Sequence, residues 1–227
     1  MFIPLHDSNP IRHVQFPVVT YGLIAVTVLV FVFQVSLPPY RFDEMAIGLG
    51  MTPVVVRDLV DPQVIWVPDQ LTLVTYAFLH ADWLHLLSNM LFLWVFGDNI
   101  EDAMGHVKFL VFYLACAILA ALAHMAFNFQ SFGPLIGASG AVAGVMGAYI
   151  VLFPHARVYV LFKIVVPIPL PIPALWMLAA WFGIQLFYAV TAGDAPVAWW
   201  AHIGGMAAGA LLAVPFKRRE VMLFGGR

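Results

Sequence analysis

The chain has 227 residues, 63% of them hydrophobic and 10% charged, with a formal net charge of −2, and its mean hydropathy is +0.94. A water-soluble domain carries roughly a quarter charged residues, so this chain lacks the polar side chains to cover a water-facing surface and reads as an integral membrane protein. No basic stretch suggests nucleic acid, and the one cysteine, Cys116, excludes an intramolecular disulfide.

A spanning helix needs roughly 20 mostly apolar residues. Six segments qualify, at 18–37, 83–100, 107–127, 138–153, 174–191 and 197–215, the fourth being short. They predict a single all-α, polytopic membrane domain over 1–227, with no internal repeat. The first run ends in "FQVSLPPYRF" without a small-x-small cleavage site, so it reads as a retained helix. Residues 38–70 form a long first loop with acids and prolines, and 101–106 ("EDAMGH") a tight turn. Residues 128–137 are polar and contain glycine. In 154–173 the alternate Pro167, Pro169, Pro171 and Pro173 exclude helix and favour extended chain. The last loop, Ala192 to Pro196, is brief.

Six spans place both termini on one side. With the termini inside, the inner segments hold Arg12, Lys108, Arg157, Lys163, Lys217, Arg218, Arg219 and Arg227, and the outer ones Arg41 and Arg57. Eight against two sets the orientation. The first loop and the amino end of the fourth helix then face outward.

Polar residues within the spans are the informative ones. In "HLLSN", His85 and Asn89 lie four apart, one helical turn on one face. They are either hydrogen-bonding glue between helices or donors aimed at one point. The stretch "GASGAVAGVMG" carries Ser139 and the small-residue pattern Gly140, Gly144, Gly147, which suits close helix packing. Its G-x-S-x-A core misses the G-x-S-x-G elbow, and the strand-turn-helix context of that elbow is absent as well. In "AHIGGMAAG", His202 shares a face with Gly205 and Gly209. If the small faces of the fourth and sixth helices meet, His202 comes within hydrogen-bond reach of Ser139. A serine hydroxyl needs such a base, and neutral imidazole serves near pH 7. Attack on a carbonyl creates an oxyanion, for which His85, Asn89 and the Ser139 amide are donors. The last three spans hold no acid, so the expectation is a Ser–His dyad, with Asp194 in the last loop as the one acidic candidate for a third member.

These residues resemble the rhomboid family of intramembrane serine proteases. The resemblance runs from about Leu73 to Phe216, through "FLHADWLHLLSNMLFLWVFGDNIEDAMGH", "GASGAVAGVMGAY" and "AHIGGMAAG". It implies a six-helix bundle with a short, surrounded fourth helix. It implies Ser139 as nucleophile, His202 as general base and acid, and His85 and Asn89 beside the oxyanion. Gly137 would keep the loop before Ser139 open for substrate, and Gly140, Gly205 and Gly209 would serve packing. It implies cleavage of single-span membrane proteins near the outer part of the bilayer, with no cofactor and no metal. Two positions depart from the family: Leu71-Thr72 stands where many members have Trp-Arg, and Ala143 where some have a tyrosine packing on the histidine. Something else must hold His202. His80 matches a histidine of several members and could retain water or brace the first loop. The alternatives are an inactive relative that binds or escorts membrane proteins, a transporter, and a metal site, which the five-residue separation of His80 and His85 disfavours. The absence of a transit-like leader suggests a prokaryotic inner membrane, with both termini cytoplasmic.

Overall fold

The computed structural model describes residues 2–162, 168–191 and 197–225. A strand β1 (Phe2–Asp7) precedes the long helix α1 (Val18–Ser36). The first loop then contains α2 (Pro39–Leu49) and α3 (Pro53–Val56), and α4 (Thr72–Thr75) follows it. Helices α5 (Trp83–Met104), α6 (His106–Phe127) and α7 (Ser139–Leu152) follow. Strands β2 (Arg157–Phe162) and β3 (Pro169–Pro173) lead into α8 (Ala174–Thr191) and α9 (Trp199–Phe216).

A helix thus forms in each of the six predicted segments. Four of them, α1, α6, α8 and α9, are long and apolar enough to cross a membrane. Helix α5 has the length, but His85, Asn89, Asp98, Asn99, Glu101 and Asp102 dilute its apolar character. Helix α7 has 14 residues, and all of them except Ser139, Ile150 and Val151 are buried. It is the surrounded element, packed by α5, α6, α8 and α9. The outer helices leave large apolar side chains uncovered, among them Leu29, Trp176, Phe187 and Leu211. Such surface is unfavourable in water and suited to lipid.

One expectation needs correction. The turn expected at 101–106 is a single residue: α5 continues to Met104, and Gly105, at φ 85°, starts α6 at once. Residues Glu101 and Asp102 are buried helix residues, not turn residues. Asp102 accepts the backbone N–H groups of Arg12, His13 and Val14 at 2.9, 2.5 and 2.7 Å. Glu101 accepts those of Val19 and Thr20 at 2.9 and 2.7 Å, so it caps the first turn of α1, where helical N–H groups lack partners. The long first loop contains helices of its own. Its helices α2 and α3 bury Met45, Gly48, Pro53 and Val54, and Met51 pairs with Leu135 of the loop before α7.

The described part of the proline-rich stretch, from Pro169 on, is extended as expected and joins an antiparallel sheet of order β1-β2-β3, while Pro167 lies outside the described residues. Pro169, Pro171 and Pro173 occupy alternate positions of the edge strand β3. Successive residues of a strand turn their backbone groups to opposite sides, so prolines two apart all present their missing N–H to the open edge. The intervening parity serves β2, and Ala174, which continues it, donates its N–H to the Ala156 carbonyl at 2.8 Å. The prolines also blunt an edge that could otherwise pair with another chain.

The sheet, the α5–α6 junction and the chain after α9 share one end of the bundle. Arg218 donates its backbone N–H to Ala103 and its Nε–H to Asp102, at 2.8 and 3.2 Å. These are segments that the charge distribution groups on one side, while the first loop and the residues before Ser139 meet at the other end.

Candidate active site

Helices α7 and α9 meet backbone to backbone. A Cβ added to Gly205 would overlap the Gly140 carbonyl, one added to Gly209 the Gly144 carbonyl, and one added to Gly147 the Met206 carbonyl. Gly140 and Gly144 turn their own missing side chains to α6, where a Cβ would lie 2.6 Å from the Cβ atoms of Ala120 and Cys116. The small stripes of the two helices therefore allow an approach that any side chain would prevent.

That approach brings Ser139, the first residue of α7, against His202, in the first turn of α9. The Ser139 Oγ and His202 Nε2 are 2.8 Å apart, a hydrogen bond in which the hydroxyl donates when Nε2 is unprotonated. At the other side of the ring, His202 Nδ1 is 2.8 Å from the Oε1 of Gln185 on α8. Trp181 lies tilted to the imidazole at 5.6 Å between centroids, and Trp199 stands edge-on at 6.2 Å. These groups do the holding for which Ala143 has no side chain. Gln185 is absent from the residues singled out in the sequence. Its signal was a lone carboxamide inside the apolar run "ALWMLAAWFGIQLFYAV". The acidic candidate Asp194 lies outside the described residues.

The loop before Ser139 is pinned from several directions. Gly137, at φ 118°, donates its N–H to the Tyr76 carbonyl at 3.0 Å. A Cβ there would lie 2.6–2.7 Å from the His85 ring, so Gly137 makes room for that histidine itself. Ala138 donates its N–H to His80 Nε2 at 3.4 Å. His80 is fully buried, its ring 4.9 Å from that of His85. Burial pushes the His80 imidazole down to about 3, and the neighbouring His85 acts in the same direction, so the ring is a neutral acceptor. It braces the first loop against α7.

Asp82 caps α5 by accepting the His85 N–H at 2.8 Å, which fixes the start of the helix carrying His85 and Asn89. His85 lies against Gly137, two residues before Ser139. Asn89 donates one carboxamide N–H to the His85 carbonyl of its own helix at 3.0 Å, leaving the second free to donate elsewhere. Near the first-loop departure, Thr72 donates its hydroxyl to the Asp69 carbonyl at 2.5 Å, and Leu71 is exposed.

The sequence matches the rhomboid domain family over residues 68–219. "Rhomboid protein 1, mitochondrial" of Saccharomyces cerevisiae is 30% identical over 177 residues, covering 71% of this chain and 48% of that protein. "RHOMBOID-like protein 12, mitochondrial" of Arabidopsis thaliana is 33% identical over 156 residues, covering 62% of this chain and 44% of that protein. The chain thus spans about half the length of the curated relatives it matches. With a family match that runs from the first loop through α9, and with several helices apolar enough to cross a bilayer, the chain belongs to the rhomboid family and is an integral, multi-pass membrane protein.

Proposed function

We propose that this chain is an intramembrane serine endopeptidase that cleaves single-span membrane proteins in or near the outer part of the bilayer. The observation that carries this reading is the 2.8 Å contact between Ser139 Oγ and His202 Nε2. In this reading α1, α5, α6, the short α7, α8 and α9 form one membrane domain over 1–227 with six spans and both termini on the inner side. His202 takes the Ser139 proton as Oγ attacks the scissile carbonyl, then delivers it to the leaving amine. A water deprotonated by the same imidazole releases the acyl group from Ser139. In this reading the tetrahedral oxyanion sits at the amino end of α7, stabilised by the Ser139 N–H and the helix dipole, with His85 and Asn89 as further donors. Substrates are transmembrane segments that unwind readily, because a helix withholds its carbonyls in hydrogen bonds. No cofactor enters the chemistry.

An inactive relative that only binds or escorts membrane proteins is the competing reading, and the intact Ser139–His202 pair speaks against it. The relatives are named as mitochondrial proteins, so they give no support to a prokaryotic inner membrane. The test is cleavage of a single-span substrate by purified protein in liposomes. Ser139→Ala and His202→Ala should each lower the rate by at least about 100-fold while leaving the protein folded. Cleavage retained in either variant overturns the dyad.

A further inference from the structure

We infer that Gln185 is a positioning residue that selects the tautomer of His202. This inference rests on the serine-protease reading above. Gln185 is a carboxamide in the middle of an apolar helix and is only 4% exposed. A buried amide of this kind needs partners for both its ends. Its Oε1 is 2.8 Å from His202 Nδ1, and its Nε2 donates to the Trp181 carbonyl one turn back at 3.2 Å. The second bond decides the first. With the amide N–H committed to Trp181, the oxygen must face the imidazole, and an oxygen there can only accept.

His202 therefore carries its proton on Nδ1, and its Nε2 lone pair faces the Ser139 hydroxyl at 2.8 Å. The opposite tautomer would set two lone pairs, Oε1 and Nδ1, against each other. It would also aim N–H at Ser139, where a base is needed. Gln185 thus does with a neutral dipole, anchored by its own helix, what an acidic third residue would do with a charge. As the imidazolium forms during proton transfer, the same oxygen keeps its Nδ1–H bond, so no group in the bilayer must reorganise.

The experiment compares the wild type with Gln185→Met, which keeps the volume and removes the acceptor, and Gln185→Glu, which keeps it. A protonated glutamic acid still donates to Trp181 and accepts from His202, and an ionised one still accepts. Two readouts are taken. One is kcat and KM for a single-span substrate in liposomes. The other is the imidazole nitrogen resonances of protein labelled with nitrogen-15 in histidine, with His202 identified by difference from His202→Gln. Gln185→Met should lower kcat by about 10- to 100-fold with KM little changed, and should shift His202 from Nδ1–H to Nε2–H. Gln185→Glu should restore both. An Nδ1–H ring in Gln185→Met, wild-type kcat in that variant, or failure of Gln185→Glu to restore Nδ1–H overturns the inference. The resonances report the tautomer whether or not the protein cleaves. A wild type that shows the Gln185-dependent tautomer but cuts nothing therefore refutes the protease reading and leaves the positioning role standing.

Discussion

Gly205→Ala places one carbon into the contact that sets the distance between Ser139 and His202. The new Cβ would overlap the carbonyl oxygen of Gly140, and its next neighbours are the carbonyl carbon and Cα of the same residue. These are backbone atoms, so no flexible side chain can yield. Restoring ordinary contact parts α7 from α9 locally by about 1 Å. Gly140 adjoins Ser139, and Gly205 lies one turn beyond His202, so most of that displacement reaches the site. A hydrogen bond of 2.8 Å then becomes a separation beyond useful range. A misplacement of about 1 Å costs on the order of 100-fold in rate, and overpacking a tight contact costs about 1–3 kcal/mol of stability. Cleavage of a single-span substrate in liposomes and thermal unfolding in detergent measure the two effects. Gly22→Ala is the control, since an added Cβ there meets nothing within 4 Å, and it should keep activity and gain up to about 1 kcal/mol from helix propensity. Wild-type cleavage by Gly205→Ala would refute the argument that backbone contact fixes the Ser139–His202 geometry.

Two further predictions concern the opposite end of the bundle. Asp102→Asn sets a carboxamide N–H against one of three backbone N–H groups now accepted by the carboxylate, those of Arg12, His13 and Val14. It should destabilise the fold by roughly 2–3 kcal/mol, and an unchanged midpoint of unfolding in detergent would show that the segment before α1 contributes nothing. Asp7, hydrogen-bonded to the Tyr149 hydroxyl, has its carboxyl raised by burial from 3.8 to about 6. The folded state therefore holds a proton that the unfolded chain releases, so this group's contribution is present below about 4 and is lost as pH rises to about 6. Asp7→Asn should remove that fall, and an identical pH dependence of unfolding in wild type and variant over that window would contradict it.

The apolar runs were enough to place a helix in each of the six predicted segments, and to mark α1, α6, α8 and α9 as able to cross a membrane, because length and hydrophobicity are read from each segment independently of its partners. The same holds for Ser139, His202 and the glycines, whose helical spacing puts them on shared faces before any partner is known. The alternate prolines likewise forced an extended chain. Other features depend on contacts between segments far apart in sequence. β1 pairs with a strand more than 150 residues later, with Phe2 opposite Phe162. Glu101 and Asp102 look like turn residues until the start of α1 and the segment before it bring their N–H groups to them. The helices of the first loop form where that loop folds back on the residues before Ser139. Gln185 is the clearest case. A single amide in an apolar helix has no partner within its own sequence, and its meaning arises only when α8 packs beside α9 and offers one carbonyl oxygen to His202. Local periodicity and solvation in the sequence were enough to single out Ser139, His202, His85 and Asn89 as polar residues within apolar helical segments. Tertiary structure alone decided which way the histidine faces and what holds it, since that follows from the packing of neighbouring helices.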